Sequence, residues 1–396
     1  MTVSAILFKS GTLYTPEFAG VGDILAVGDR IVAMGADLAW PSWADGPVVD
    51  ARGLFIFPGF IDGHVHIAGG GGEGGPQYRT PELTLSQLTQ AGITTVVGLL
   101  GTDGTTRSVQ GLLAKARALT IEGINAWIFT GAYQVPTRTI TDSARNDLIL
   151  IDRVIGVGEI AVSDHRGSHP SDRELAQLAG EARVGGLLGG KAGVLHCHIG
   201  DGPRRLQPLR AVIESADVPI ETIVPTHVNR HRELLDDAVA WGRQGGLLDI
   251  TTGIMPEPDD PTAVGPVAAA QQVRDAGVLW SHVTFSSDAG GSAPLFNERG
   301  QLIKMGVGSP LTLWQAVRGL HQDLGWEWPE ALGPVTRHAA SMLHLPDVGF
   351  LGPGARADWV MTDGTRILSV VAGGRLMVHE GRPVRRGTFE TRDELT

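Results

Sequence analysis

The sequence predicts an α/β fold: a (β/α)8 barrel with a second, small β-sandwich domain built from both chain ends. Three observations predict it. Apolar, β-rich runs recur along the middle of the chain, at 54–61, 93–100, 125–132, 149–157, 193–199, 220–226, 247–252 and 279–286. Helix-like segments separate most of them, such as Leu85-Ser-Gln-Leu-Thr-Gln-Ala and Arg173-Glu-Leu-Ala-Gln-Leu-Ala-Gly-Glu-Ala-Arg. Residues able to hold a metal cluster at the ends of these same runs. Strands that are apolar throughout are covered on both faces, and alternation with helices makes them parallel. A doubly wound open sheet is the alternative. It would be expected to carry a Gly-rich phosphate loop that leads from its first strand directly into a helix, and the glycines of 69–75, followed by Pro76, are not placed that way.

The first run ends in Pro58-Gly-Phe-Ile-Asp62-Gly-His64-Val-His66. On a strand, residues i and i+2 share a face, so His64 and His66 can grip one ion together. The glycines from Gly69 to Gly72 then open a loop, as at the catalytic end of a barrel. The fourth run ends in Gly158-Glu159, the fifth in His196-Cys197-His198, the sixth in Pro225-Thr-His227 and the eighth in Ser286-Ser287-Asp288. Four histidines (His64, His66, His198, His227) and two carboxylates (Glu159, Asp288) are what two Zn²⁺ ions need if one carboxylate bridges them. His196 lies deeper on the same face as His198 and is expected to pack or hydrogen-bond. Cys197 points to the helices and is expected to be a buried, inert thiol.

The ends of the chain read differently. Short β-like pieces such as Ala5-Ile-Leu-Phe, Asp23-Ile-Leu-Ala-Val and Arg30-Ile-Val-Ala-Met precede the barrel. Asp358-Trp-Val-Met-Thr, Ile367-Leu-Ser-Val-Val-Ala and Arg375-Leu-Met-Val-His follow it. Residues 1–57 and 346–396 are therefore expected to form the small domain, and 58–345 the barrel.

A net charge of −11 with no Lys/Arg cluster argues against nucleic acid as a partner. A single cysteine rules out an intramolecular disulfide and suits a reducing compartment. The first residues lack the basic start and apolar core of a signal peptide. No apolar run approaches the roughly 20 residues of a membrane span. A soluble, cytoplasmic enzyme is expected.

The motifs Gly63-His-Val-His-Ile-Ala-Gly-Gly-Gly-Gly-Glu73-Gly-Gly-Pro, Thr80-Pro-Glu, Thr130-Gly-Ala-Tyr133, Ser163-Asp-His-Arg166, Pro225-Thr-His-Val-Asn-Arg230 and Ser287-Asp288-Ala-Gly-Gly-Ser292 span most of the chain. Through them it resembles the amidohydrolase superfamily and, within it, the isoaspartyl dipeptidases. The resemblance implies hydrolysis of dipeptides whose aspartyl residue is linked through its side-chain carboxyl. It implies a hydroxide bridging two metals as nucleophile and Asp288 as both ligand and general acid/base. Tyr133 would stabilise the oxyanion. Glu73 would meet the substrate's ammonium, Arg166 and Arg230 its carboxylates, and Thr102 and Ser292 would add hydrogen bonds. The resemblance also suggests a homo-oligomer, an octamer being one form.

One departure stands out. Many members of this family carry a lysine at the end of strand 4, carboxylated to a carbamate that bridges both metals. Here Glu159 takes that place, and none of the four lysines (Lys9, Lys115, Lys191, Lys304) ends the fourth run. Both groups carry one negative charge, but the carbamate's arm is longer. Glu159 thus needs its backbone closer to the metals, which Gly156 and Gly158 would allow. An unmodified bridging Glu159 is expected, with no carboxylated lysine. Two other readings compete: a dihydroorotase- or hydantoinase-like cyclic amidase or N-acyl-amino-acid hydrolase, and a non-catalytic scaffold. A cyclic amide has no free amine to need Glu73, and a scaffold would be expected to have lost ligands.

Overall fold

The structure is a computed structural model that describes residues 3–258, 260–296 and 301–391. At its centre stand eight strands: β1 (Phe60–Val65), β2 (Ile93–Gly98), β3 (Asn125–Thr130), β4 (Val154–Val162), β5 (Val194–Ile199), β6 (Ile223–Thr226), β7 (Leu248–Thr251) and β8 (Val283–Ser286). The first six form one parallel sheet in sequence order, and β7 pairs in parallel with β8. The cylinder closes where His66 N donates to Ala289 O at 2.8 Å and Val228 N reaches Asp249 O at 3.4 Å. A helix follows each strand: α1 (Leu85–Gln90), α2 (Val109–Glu122), α3 (Ala144–Leu150), α4 (Asp172–Gly189), α5 (Gln207–Ser215), α6 (Arg232–Arg243), α7 (Pro266–Asp275) and α8 (Leu311–Gln322).

Side-chain alternation divides the barrel into layers. Ile128, Val154, Leu195, Ile223, Leu248 and Val283 point outward into a core shared with the helices. Ile61, Val97, Phe129, Ile155, Val194, Val224 and Leu247 point inward and meet Ala339, Ala340 and Met342 at the lower end. Above this apolar floor, each inward position turns polar: His196 then His198 on β5, Thr226 on β6, Asp249 then Thr251 on β7, and Thr284 then Ser286 on β8. Burying one large apolar side chain contributes about 1.5–3 kcal/mol, so the floor is what holds this polar layer in place.

Strands from both ends of the chain join one ten-stranded sheet. Val3–Tyr14 pairs antiparallel with Phe18–Val27 and parallel with Phe55–Pro58, which pairs antiparallel with Trp359–Thr362. The expected sandwich is thus hydrogen-bonded into a single continuous sheet. Ile6, Phe8, Ile24, Ile31, Ile56, Trp359 and Met361 share a core on one face, and Phe57, Val360 and Val370 pack onto the barrel from the other.

Two predicted strands are displaced, and the runs 220–226 and 279–286 become strands only from Ile223 and Val283, after short 3-10 turns. The run 54–61 is two strands broken at Gly59, whose N–H donates to Asp358 O at 3.0 Å. Phe55–Pro58 belongs to the terminal sheet, and β1 begins at Phe60 and carries His64 itself. The fourth run, placed at 149–157, begins later: residues 149 and 150 end α3, and β4 runs on past Glu159 to Val162. Apolar side chains of a helix end and of a buried strand look alike in sequence, so periodicity could not separate them.

Candidate active site

The C-terminal ends of the strands bring all six expected ligands together. Glu159, 1% exposed, sits in the middle. Its Oε1 lies 3.3 Å from His66 Nε2, and its Oε2 lies 3.5 Å from His64 Nε2, 3.1 Å from His198 Nδ1 and 3.6 Å from His227 Nε2. Asp288 Oδ1 approaches His64 Nε2 at 3.4 Å and His66 Nε2 at 3.1 Å. Glu159 reaches this point from inside β4, where the pairing register slips between Val157 and Ile160. A Cβ at Gly158 would stand 2.7 Å from His196 O, so only glycine lets the strand come this close.

Local backbone aims two of the ligands. His227 and Asp288, just past β6 and β8, adopt left-handed conformations with φ of 60° and 55°. Such residues cost about 1–3 kcal/mol and persist where the surroundings over-determine them. Asp288 N donates to His64 O at 3.2 Å. Gly291 leaves room for its carboxylate, since a Cβ there would be 2.2 Å from Asp288 Oδ1.

Hydrogen bonds behind the ring select which nitrogen faces inward. His227 Nδ1 lies 2.7 Å from Thr251 Oγ1, and His64 Nδ1 lies 2.9 Å from His196 Nε2. His196 therefore hydrogen-bonds as expected, and Cys197 is fully buried among the barrel–helix apolar contacts.

Two donor sets emerge that share Glu159: His64 and His66 on one side, His198 and His227 on the other, with Asp288 next to His64 and His227. His64 Nε2 and Asp288 Oδ1 are buried without a hydrogen-bond partner. Unpaired, inward-facing donor atoms among nitrogen and carboxylate oxygen neighbours fit divalent cations. In a deeper group of His64, His196 and Asp249, the carboxylate of Asp249 is already engaged, accepting from Thr226 and Thr284 at 2.7 Å each.

The electrostatics follow from burial against close charge. Burial opposes the ionised form of Glu159, yet His64, His198, His227 and His66 outweigh it and hold this carboxyl well below its usual range. Asp288 is likewise held low, burial being overcome by His64 and His66. Burial lowers His66, but the nearby carboxylates of Asp288 and Glu159 outweigh it and push it up to about 10. His227, with burial dominant and His198 adding repulsion, falls to about 3. Coordination needs unprotonated imidazole nitrogens, so a metal would replace the proton on His66.

The remaining predicted residues ring the mouth. Glu73, with its side chain 6% exposed, accepts from Thr102 Oγ1 at 2.8 Å and from Ser292 Oγ at 3.0 Å. Its glycine loop is tied down by Thr80, whose hydroxyl accepts from Gly70 N and donates to Gly290 O, both at 2.6 Å. Arg166 Nη1 lies 3.5 Å from Glu73 Oε1. Arg230 Nε donates to Ile199 O at 3.0 Å, which turns it into the cleft and away from a solvated run with Arg232. The Tyr133 hydroxyl is 2.8 Å from His198 Nδ1, and burial raises its pKa well above the usual phenol value.

Sequence reasoning missed Thr251 and Asp164. Thr251 ends β7, the one barrel strand to which no site residue had been given. Asp164 lies within the Ser163-Asp-His-Arg166 motif and is 4% exposed. Its proximity to Arg166 was the available signal.

The chain matches the family profile of the amidohydrolases over residues 55–377. It is similar to a β-aspartyl dipeptidase from Fervidobacterium islandicum AW-1, solved in complex with β-Asp-Leu: 37% identity over 97% of this chain and 98% of that one, with a TM-score of 0.89. A second structure of a β-aspartyl dipeptidase from that organism gives 36% identity, 96% and 98% coverage and a TM-score of 0.85. A D-hydantoinase shares the fold at 19% identity, 99% and 98% coverage and a TM-score of 0.68. The allantoinase of Escherichia coli K12 is 34% identical over 92 residues, 23% of this chain and 19% of that enzyme. The match thus spans about a fifth of the length of that curated relative.

Proposed function

The chain belongs to the amidohydrolase family, and from that premise we propose that it hydrolyses β-aspartyl dipeptides with two zinc ions bridged by Glu159. His64 and His66 would hold one ion and His198 and His227 the other, with Asp288 completing the set. When bound, such a pair makes water a ready nucleophile at neutral pH and polarises the scissile carbonyl.

The chain's own groups do the rest. Asp288, kept ionised by its histidine neighbours, takes the proton of the attacking water and hands it to the leaving amine. Tyr133 keeps its proton across the working pH range because burial raises its pKa. It can therefore donate to the carbonyl oxygen as negative charge develops there. Glu73, steadied by Thr102 and Ser292, binds the free ammonium. Arg166 and Arg230 bind carboxylates, a geometry that suits guanidinium forks.

The observation that carries this reading is the pairing at the mouth. A nearly buried carboxylate stands opposite a guanidinium, 3.5 Å away, and beside the ligand cluster. That pattern complements a small zwitterion carrying an extra carboxylate; a cyclic amide offers no ammonium to Glu73. The test is a hydrolysis panel on one zinc-loaded preparation, with β-Asp-Leu, α-Asp-Leu, dihydroorotate and N-acetyl-aspartate. β-Asp-Leu should be turned over far faster than the others, and chelation should abolish its turnover. Preferential opening of dihydroorotate would make the protein a cyclic amidase instead.

A further inference from the structure

We propose that Asp164 is a positioning residue that links the two halves of this site: it fixes which nitrogen His198 turns toward Glu159, and it fixes where Arg166 points. The inference rests on the reading of His198 as a metal ligand. Asp164 follows Ser163, whose left-handed backbone (φ 53°) ends β4 and returns the chain over the barrel mouth. Across from it, Gly200 leaves no slack, for a Cβ there would be 2.5 Å from Asp164 Cβ.

Both carboxylate oxygens are committed. Oδ1 accepts from Arg166 N at 2.7 Å and Arg166 Nε at 3.0 Å. Oδ2 accepts from Arg166 Nη2 at 2.6 Å and lies 2.9 Å from His198 Nε2. The Arg166 pair is a two-point fork, which fixes orientation as well as distance.

His198 is decided by elimination. The polar groups near its Nε2 are Asp164 Oδ2, Arg166 Nη2 at 3.0 Å, the Tyr133 hydroxyl at 3.2 Å and Arg230 Nη2 at 3.4 Å. Guanidinium nitrogens only donate. The Tyr133 hydroxyl is nearer to Nδ1, at 2.8 Å. Asp164 is thus the one pure acceptor of the four. A ring that ligates through Nδ1, the nitrogen facing Glu159 at 3.1 Å, must carry its hydrogen on Nε2. Of the groups around Nε2, the carboxylate of Asp164 is the nearest acceptor for that N–H and the one charged to reward it. The same carboxylate anchors the guanidinium that meets Glu73, so metal retention and substrate binding share one group.

Asp164→Asn separates the possibilities because it is isosteric and neutral. With its carbonyl kept at Oδ1, its NH2 would face His198 Nε2 and Arg166 Nη2 with donors. Turned over, it would face Arg166 N and Nε with donors. The variant should retain one ion about 10- to 100-fold less tightly than wild type in a chelator competition, the scale on which ligand-supporting partners act. Its KM for β-Asp-Leu should rise as well. Arg166→Lys should raise KM while leaving zinc retention unchanged, since Asp164 still faces His198. If Asp164→Asn does not fold, Asp164→Ala replaces it, and added formate should restore its zinc retention. A folded Asp164 variant with wild-type zinc retention and KM overturns the proposal. Wild-type protein that retains no zinc and leaves β-Asp-Leu intact overturns instead the metal-site reading beneath it.

Discussion

The guanidinium of Arg166 stands 3.5 Å from the carboxylate of Glu73, with both side chains at most 10% exposed. Before substrate arrives, the group suited to bind an ammonium faces a guanidinium that Asp164 already holds in a two-point fork. A zwitterionic substrate can replace the contact to Arg166 with its own ammonium at Glu73, so that the nearly buried Glu73 is never left without a counter-charge.

Glu73→Gln should therefore weaken hydrolysis of β-Asp-Leu without emptying the metal site. A charge-assisted hydrogen bond to the ammonium contributes roughly 1.5–3 kcal/mol, about ten- to a hundredfold in kcat/KM. Steady-state kinetics with metal analysis on the same sample is the check; an unchanged kcat/KM would remove Glu73 from substrate binding.

Tyr133→Phe should act on turnover more than on binding. Loss of one preorganised oxyanion donor costs about 10²–10³ in kcat, and KM should move little. The ring itself remains to pack under Arg166, whose Cζ lies 5.5 Å from its centroid, so thermal unfolding should be nearly unchanged. A large rise in KM at normal kcat would make Tyr133 a binding group only.

Asp288→Asn should keep the fold and lose activity by several orders of magnitude, because an amide neither accepts the proton nor ligates well. Near-wild-type turnover in the metal-loaded variant would place the base elsewhere.

The cluster of His64, His66, Glu159, His198, His227 and Asp288 was legible in the sequence because a barrel exports its chemistry to strand ends, and runs of Val, Ile and Leu mark where strands end. His64 and His66 announced themselves by spacing, and Glu159 by standing where a lysine is expected. What stayed hidden depends on contacts between distant strands. Thr251 supports His227 across 24 positions, and Asp164 meets His198 across 34; neither pairing leaves a local pattern. Gly59 divides one apolar run between two sheets because Phe55–Pro58 is claimed by Trp359–Thr362 from the far end of the chain. The hairpin of Ser292–Phe296 and Leu302–Val307, which carries Ser292 to Glu73, was also unread. Its second strand, Leu302-Ile303-Lys304-Met305-Gly306-Val307, is largely apolar in sequence yet holds no buried residue, so composition gave no sign of this surface hairpin.

Removal of Glu159 should unbalance the centre. The two dications that the proposed site would hold would need the negative charge of Glu159 between them, so Glu159→Ala should release at least one. Glu159→Lys should not substitute for it, because the longer arm would start from a backbone already close to the ligands.

The most direct measurement is reconstitution of apo-protein with zinc alone in CO2-depleted buffer, reading zinc per chain and β-Asp-Leu turnover together. A carbamate needs CO2 to form; the carboxylate of Glu159 is complete as synthesised. Two zinc ions per chain and full turnover, with no gain on adding bicarbonate, are the expected result. A requirement for bicarbonate, or two zinc ions still held by Glu159→Ala, would contradict Glu159 as the bridge.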